Sequence, residues 1–361
     1  MNVFIRVDAS VSIGSGHVMR CLTLAHELIN AGENVFFMSR ITKGHLNELI
    51  KAQGFQVFEF AESEGSFNLC KGDVYHEWLG VPWEEDAKNT IDVLNQFDVD
   101  WLIVDHYGID YKWHSIIRPY VKKILVVDDL ANRKLDCDIL LDQTLARQGA
   151  SYHGLVNHGC KLLLGAKYAM LRSTFLKLRM HALEKRKRVS SINRIFISMG
   201  ANDPDNITGN ILDGLESISW HKEPVIDIVL GRHAPHLSFV INKAQRHSLP
   251  VEVTVDADDM AKRMLDADLA IGAAGATSWE RCCLGLPTVM MVVADNQETI
   301  AENIVAYGLA FKTLDVPSVI KKIEQIVDCD MDDLRDMSHR CFNAIDGKGV
   351  ERVCSSMRLG Y

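Results

Sequence analysis

The sequence predicts an α/β fold built from two Rossmann-like domains. Three observations predict it: near-continuous apolar runs of strand length recur along the 361-residue chain, helical patterns separate them, and the rhythm starts again after one basic stretch. Apolar runs without alternation are typical of parallel strands, because helices cover both faces of such a sheet. Each half opens with a strand that leads through a loop of small residues into a helix, as Rossmann-like domains do.

Five runs in the first half are predicted as strands, at residues 3–7, 35–38, 101–105, 124–127 and 162–164. A helix is predicted between the first two strands, over residues 18–31. Its apolar face consists of Val18, Cys21, Leu22, Ala25, Leu28 and Ile29. Gly32 follows as its C-terminal cap.

A basic stretch at residues 172–188 interrupts this pattern, with Glu184 as its one acidic side chain. We interpret it as a solvated interdomain helix followed by a linker, with a nucleic-acid patch as the lesser alternative. Predicted strands resume at residues 195–199, 225–230, 251–255, 269–272 and 288–293. The predicted domains are therefore residues 1–180 and 194–361, joined by a linker at residues 181–193.

Composition narrows the class of protein. The chain is 47% hydrophobic, which argues against disorder. Its 39 basic and 48 acidic side chains give a net charge of -9, which argues against a dedicated nucleic-acid binder. No apolar run reaches the length of a membrane span, and the first residues resemble a strand and not a signal peptide. The nine cysteines show no CxxC spacing, so we expect buried thiols in a reducing cytoplasm.

The loop after the first predicted strand is the first candidate site. Gly14, Ser15 and Gly16 let backbone N–H groups approach a ligand, or they form an ordinary tight turn. His17 begins the helix, whose positive end favours the neutral imidazole that a general base needs, although an exposed first-turn histidine is the commoner case. Arg20, one turn on, either positions an anion or faces solvent.

Two other strands of the first half end in acidic residues. Asp105 and Tyr107 follow the strand at residues 101–105, where they line a pocket or form a loop with an Asp turn. Asp128 and Asp129 end the next strand. A paired carboxylate can bind a metal ion, but no third ligand stands at close spacing, so a structural role is favoured.

The second half offers two loops of small residues as nucleotide sites. The first is an ordinary turn or a pyrophosphate-facing loop, and it contains Gly200, Ala201, Asn202 and Asp203. The second contains Gly275, Ala276 and Thr277, whose N–H groups suit phosphate oxygens. Glu280 then accepts hydrogen bonds from ribose hydroxyls, or it forms a capping box with Thr277.

Two amides open a further predicted helix after residue 294. Asn296 and Gln297 can donate to a phosphate or to a sugar acetamido group, or they cap that helix.

These segments together resemble one family. The resemblance rests on residues 6–10 (RVDAS), 13–25 (IGSGHVMRCLTLA), 104–108 (VDHYG), 127–131 (VDDLA), 137–143 (CDILLDQ), 275–282 (GATSWERC) and 295–297 (DNQ). The family is PseG, the hydrolases of UDP-2,4-diacetamido-2,4,6-trideoxy-β-L-altropyranose in pseudaminic acid biosynthesis. The resemblance covers roughly residues 1–310. Ala201-Asn202 departs from the Gly-Ser that is commoner in the family, and residues 62–84 do not align with it.

The resemblance implies a GT-B fold similar to that of MurG, with two Rossmann-like domains facing across a cleft. It implies hydrolysis of the anomeric C–O bond with inversion, release of UDP, and no metal or other cofactor. His17 matches the catalytic base. The positions that match nucleotide contacts are residues 200–203, 275–277 and 280, and Asn296 matches a substrate-contacting amide.

The hypothesis is therefore a UDP-sugar in the cleft, with UDP on the C-terminal domain and the sugar pointing at His17. Inverting hydrolysis needs a base within reach of a water molecule opposite the leaving group. The departing diphosphate can leave unprotonated, because its last pKa is near 6 by analogy with phosphomonoesters. A glycosyltransferase of the same fold and an inert sugar-nucleotide-binding protein remain alternatives. The expected partner is the small-molecule substrate, and the sequence indicates no oligomeric state.

Overall fold

The computed structural model describes residues 1–61, 75–294 and 297–358. The chain divides into two compact units. Residues Met1–Met170 and Lys348–Tyr361 form the first unit, and Leu171–Gly347 form the second. Each unit is an α/β domain on a parallel sheet, which confirms the predicted fold class.

The first unit contains a parallel sheet of seven strands among its described residues, in the order β3-β2-β1-β4-β5-β6-β7. The strands are β1 (Asn2–Val7), β2 (Asn34–Arg40), β3 (Gln56–Phe60), β4 (Trp101–Asp105), β5 (Lys123–Val127), β6 (Ile139–Asp142) and β7 (Lys161–Leu164). The helices are α1 (Gly16–Asn30), α2 (Asn47–Ala52), α3 (Trp83–Leu94) and α4 (Tyr111–Ile117). Short 3₁₀ turns span His76–Leu79, Arg118–Tyr120, Gly149–Tyr152 and Ala166–Tyr168.

The second unit repeats this design, with a described sheet of six parallel strands in the order β10-β9-β8-β11-β12-β13. The strands are β8 (Arg194–Ser198), β9 (Val225–Leu230), β10 (Val251–Val255), β11 (Leu269–Ala273), β12 (Thr288–Met291) and β13 (Phe311–Thr313). The helices are α5 (Ser173–Arg188), α6 (Ile207–Leu215), α7 (Leu237–Ala244), α8 (Met260–Asp266), α9 (Thr277–Cys283), α10 (Glu298–Ala306), α11 (Val316–Asp328) and α12 (Asp332–Ala344). The strand order reverses between β1 and β4 in the first sheet and between β8 and β11 in the second. Ligands of such sheets bind beyond the carboxyl ends of the strands at that point.

The last helix, α13 (Gly349–Arg358), belongs to the first unit. It packs on the face of the sheet that α1 also covers, and Val350, Val353, Cys354 and Met357 are buried in that core. Side chains alternate along β1, so that Ile5 faces this core while Phe4 faces the core beneath α3 and α4. The first sheet is therefore buried on both faces.

The division of the chain differs from the predicted domain boundaries in two respects. α5, which we expected to end the first domain and lead into a linker, lies in the second unit, and α13 returns to the first. The reason is that several cations of α5 donate to groups of the second unit. Arg186 donates to the carbonyl oxygens of Met264 (2.8 Å) and Ala267 (2.5 Å), and Arg179 donates to that of Phe342 (2.6 Å).

These carbonyl groups lie in or just beyond the last turns of α8 and α12, where a helix carries partial negative charge. Arg179 and Arg186 of the basic stretch therefore pack against helix ends, whereas Lys177, Lys187 and Arg188 are exposed, as expected for a solvated helix face. Across the described residues, no helix has both the length and the apolar character needed to cross a membrane.

Candidate active site

The loop between β1 and α1 is a tight turn with open space at its glycines. Gly14 adopts a φ of 79°, in the left-handed region that favours glycine, and its N–H donates to the carbonyl oxygen of Ser10 at 2.8 Å. A Cβ on Gly14 or Gly16 would meet no atom within 4 Å. Ser15 is the N-cap residue of α1 but makes no side-chain capping bond. The loop is thus a tight turn, and the Ser15 side chain does not bind the first N–H groups of α1.

His17 lies on α1 against the carboxylate that ends β4. Its Nδ1 is 2.6 Å from Oδ1 of Asp105, and His17 is 8% exposed while Asp105 is fully buried. A carboxylate can only accept, so we assign the proton to Nδ1. Nε2 then keeps its lone pair. The pair therefore has the geometry in which a carboxylate fixes the tautomer of a general base.

Arg20 joins two acidic residues beside this histidine. Its Nε and Nη2 each donate to Asp105 at 2.5 Å, and Nη1 lies 3.4 Å from Oδ2 of Asp129. Burial would raise the pKa of Asp105, but the charge of Arg20 and the hydrogen bonds from Arg20 and His17 outweigh burial and hold that pKa well below its usual range. Asp105 is therefore ionised at neutral pH, and its carboxylate is occupied inside the protein.

An aromatic wall formed by Trp78, Tyr107 and Tyr75 flanks one side of the imidazole. The ring of Tyr107 stands edge-on to His17 at 4.7 Å, and the half-buried Trp78 stacks on Tyr107 at 5.5 Å and stands edge-on to His17 at 6.2 Å. Tyr75 packs against both other rings. The Tyr107 hydroxyl donates to Asp129, and burial together with that carboxylate raises the pKa of Tyr107 well above its usual value. The base thus lies between a charged and an aromatic side.

A second group of charges is buried near the ends of β1 and β2. Arg6 donates to Asp8 and to Asp86, each at 2.6 Å, and Arg40 donates to Asp86 at 2.8 Å. All four side chains are at most 1% exposed. Because each charge has an internal partner, we read this network as support for the strand ends.

Asp128 has the structural role that the sequence favoured. It accepts hydrogen bonds from Arg133 Nη1 at 2.6 Å, from the Ala131 N–H at 2.9 Å and from the Tyr152 hydroxyl at 3.0 Å. Its neighbour Asp129 is instead directed at Arg20 and Tyr107.

In the second unit, the loop after β8 is tied to the helix that follows it. This loop contains Gly200, Ala201, Asn202 and Asp203. The carboxylate of Asp203, which is 5% exposed, accepts hydrogen bonds from the N–H groups of Ile207 (3.0 Å) and Thr208 (2.8 Å). Asp203 thus caps α6 and occupies two N–H groups that a phosphate would need. The prediction that Asp203 itself contacts a nucleotide does not fit this geometry, whereas Gly200 is exposed.

The loop between β11 and α9 contains Gly275 and Ala276, and Thr277 begins the helix. Behind it lies Arg281, 1% exposed, which donates to the hydroxyl oxygen of Thr277 at 3.1 Å and to the carbonyl oxygen of Ala273 at 2.8 Å. This residue was not among the predicted site residues. An arginine is ordinarily exposed, so nothing in its sequence position signals burial.

Glu280 does not form the capping box that was its structural alternative, since α9 has no side-chain capping bond. Its carboxylate lies 3.4 Å from Nη2 of Arg172, and burial raises the pKa of Glu280 while Arg172 partly offsets that effect. Gln297 accepts from the Val293 N–H at 3.2 Å, and its Nε2 lies 3.8 Å from the point where a Cβ on Gly275 would be. The predicted position Asn296 lies outside the described residues.

The sites predicted in each half therefore come together within their own unit. β8, β11 and β12 are neighbours in the second sheet, and their carboxyl ends carry the loops of Gly200, Gly275 and Gln297. β1, β4 and β5 are neighbours in the first sheet and carry His17, Asp105 and Asp129. Trp78 was not predicted as a site residue because it lies in residues 62–84, which do not align with the PseG family.

The chain is similar to glycosyltransferases in sequence and in fold. Residues 222–352 match the glycosyltransferase family 28 C-terminal domain. The crystal structure of MurG from Acinetobacter baumannii superposes with a TM-score of 0.70 at 16% identity, over 99% of each chain. A structure of an Os79 variant from O. sativa in complex with UDP gives a TM-score of 0.66 at 11% identity, over 99% of this chain and all of that one (100%). The chain thus has a GT-B fold.

Two curated relatives match more than four fifths of the chain. The UDP-2,4-diacetamido-2,4,6-trideoxy-beta-L-altropyranose hydrolase of Campylobacter jejuni is 27% identical over 302 residues, 83% of this chain and 95% of the relative. An uncharacterized protein of Methanocaldococcus jannaschii is 27% identical over 298 residues, and the match covers 81% of this chain and 55% of that protein. The chain is therefore related to sugar-nucleotide enzymes and to GT-B glycosyltransferases.

Proposed function

We propose that the protein hydrolyses UDP-2,4-diacetamido-2,4,6-trideoxy-β-L-altropyranose at C1, releasing UDP and the free sugar with inversion. The observation that carries this proposal is the pair of His17 and Asp105, with 2.6 Å between Nδ1 and Oδ1. The relative from Campylobacter jejuni, which matches over most of both chains, supports the choice of substrate.

In the proposed reaction, His17 Nε2 accepts a proton from a water molecule as the water oxygen bonds to C1. The C1–O bond breaks on the opposite face, and its electron pair leaves with UDP. The ionised Asp105 stabilises the imidazolium that forms, and the proton then passes to solvent. No acid is needed for the leaving group, because a diphosphate departs as an anion.

This mechanism changes the role we predicted for two residues. Asp105 and Arg20 act as positioning residues, because Asp105 is fully buried and is occupied by Arg20 and His17. The sugar is contacted instead by the loop of Gly14, Ser15 and Gly16 and by the aromatic wall. Trp78 supplies a partly exposed ring against which the C–H groups and methyl groups of a trideoxy, N-acetylated sugar can pack.

The nucleotide end is assigned to the second unit. Glu280 accepts from the ribose hydroxyls, and the diphosphate lies against Gly275, Ala276 and Thr277. Gly200, Ala201, Asn202, Asn296 and Gln297 complete the proposed contacts. UDP complexes of proteins with the same fold support a UDP-linked donor.

A glycosyltransferase is the second candidate, favoured by the match of residues 222–352 to the family 28 C-terminal domain. NMR of the purified protein with the UDP-sugar and no acceptor separates the two. We expect free UDP and the inverted free sugar to appear together. Consumption that begins only when a hydroxyl acceptor is added would support the transferase, and binding without any reaction would support an inert module.

The variant His17→Asn tests the base. We expect turnover to fall by roughly 10²–10⁴-fold, since this is the contribution of one general base, while UDP affinity stays the same. Steady-state rates and titration calorimetry with UDP measure the two quantities. Turnover close to that of the wild type would falsify the assignment.

A further inference from the structure

Arg281 is a buried cation whose hydrogen-bond acceptors, within the described part of the chain, are all neutral. Its Nη1 donates to the Thr277 hydroxyl at 3.1 Å, and its Nη2 donates to the Ala273 carbonyl at 2.8 Å and to the Ser278 hydroxyl at 3.0 Å. Within the described residues Nε has no hydrogen-bond partner. The residue is 1% exposed, so water does not replace the missing counter-charge.

Other buried arginines of the chain are compensated. Arg6 and Arg40 contact Asp86, and Arg20 contacts Asp105. Arg186 donates to carbonyl groups at and just beyond the C-terminal end of α8, where partial negative charge stabilises a cation.

Arg281 donates to no carboxylate among the described residues, and it turns back toward the beginning of its own helix, away from the negative helix end. Burial lowers the pKa of Arg281 to about 10, and the neighbouring carboxylate of Glu280 offsets this effect only in part. A buried charge of this kind is costly unless an anion pairs with it.

Strand β11 leaves room for the guanidinium because residue 272 is a glycine. A Cβ on Gly272 of β11 would lie 2.4 Å from Nη1 and 2.9 Å from Cζ of Arg281. Any other residue at this position would displace the guanidinium. Gly272 and Arg281 therefore form a matched pair, which shows that the cation has a defined position behind the loop.

We propose that Arg281 is a positioning residue for the diphosphate of the bound nucleotide, which it neutralises from behind the loop and to which it orients the Thr277 hydroxyl. This inference rests on the proposed function. Because the Thr277 oxygen accepts from Nη1, its own O–H is directed elsewhere and can donate to a phosphate oxygen. The anion supplies a counter-charge that the hydrogen-bond partners of Arg281 do not provide. As the C1–O bond breaks, the charge that develops on UDP is stabilised in the same way.

Titration calorimetry of Arg281→Met with UDP and with uridine tests the proposal. Both ligands carry the base and the ribose, but only UDP carries phosphates. We expect UDP affinity to fall by about 10- to 100-fold, the loss typical of a charge-assisted interaction, while uridine affinity changes less than twofold. Arg281→Lys, which keeps the charge, should recover part of the UDP affinity.

An unchanged UDP affinity in Arg281→Met, or an equal loss for UDP and uridine, would overturn the proposal, because a purely structural role moves both ligands together. If Arg281→Met does not fold, Thr277→Val serves as the second variant. It leaves Arg281 in place and should weaken UDP by roughly tenfold with little effect on uridine. UDP binding by Thr277→Val that equals the wild type would then reject the proposal. A wild-type protein that binds neither ligand would contradict the proposed function itself.

Discussion

His17 and Asp105 stand on different elements, and Arg20 links this pair to Asp129 on a third strand end. The sequence predicted His17 as a base from its place after a glycine turn. It did not predict which carboxylate would orient the ring, because that depends on β4 lying directly beside β1 in the sheet. Strand order is a property of the whole domain and cannot be derived from the spacing of these residues.

Asp105→Asn tests the orienting carboxylate. An amide can donate to Nδ1 and so favours the tautomer with its proton on Nε2, which cannot accept a proton from water. We expect turnover to fall by roughly 10²–10⁴-fold with little change in UDP affinity. Asp98→Asn, at an exposed carboxylate paired with Lys122, is the matched control. If Asp105→Asn retains most turnover, His17 does not depend on this carboxylate.

Trp78→Ala tests the aromatic wall. Removing the ring takes away apolar contact area, so we expect KM for the UDP-sugar to rise by about tenfold while inhibition by UDP alone is unchanged. Trp78→Phe keeps an aromatic surface and should lie near the wild type. The measurement is steady-state kinetics with both variants. Equal KM values for Trp78→Ala and the wild type would remove Trp78 from the sugar site.

At the level of elements, most strands were predicted, whereas two of the four edge strands were missed. β9 and β10 have the predicted bounds, whereas β3 and β13 were not foreseen. Both lie at sheet edges, where Gln56 and Glu59 of β3 can face solvent, so they lack the continuous apolar run that identifies a buried strand. The four-residue strand β6 was too short to stand out.

Asp203→Ala tests the capping role at the beginning of α6. The carboxylate accepts from two N–H groups, so its loss should lower the free energy of unfolding by about 1 kcal/mol. UDP affinity should not change. Asp315→Ala removes the capping box of α11 and is the matched control for stability. Urea denaturation and UDP titration of both variants give the two quantities, and a selective loss of UDP binding in Asp203→Ala would return this residue to the nucleotide site.

At the level of the whole molecule, acid stability depends on a histidine remote from the proposed chemistry. Burial and, to a smaller extent, the charge of Arg133 lower the pKa of His114 to about 3. The unfolded chain binds this proton near pH 6.5, so between these values it carries more protons than the folded chain. Stability is therefore complete above about pH 6.5 and falls as the pH decreases toward 3.

His114→Phe should remove this dependence. At pH 5 the contribution is about 2 kcal/mol, so the variant should lose less stability than the wild type between pH 7 and pH 5. Urea denaturation at both pH values measures the difference. His153→Gln, at an exposed position, is the control. A parallel loss of stability in His114→Phe and in the wild type would show that His114 is not the group responsible.

The return of α13 to the first unit has a consequence for biosynthesis. Residues 171–347 are contiguous, so they can close their own core as soon as they have been translated. The first unit cannot, because Val350, Val353 and Met357 of α13 cover part of its sheet, and the ribosome adds them only at the end. The unit that begins first on the nascent chain is thus completed last, and truncation before residue 349 would leave an apolar groove open beside α1.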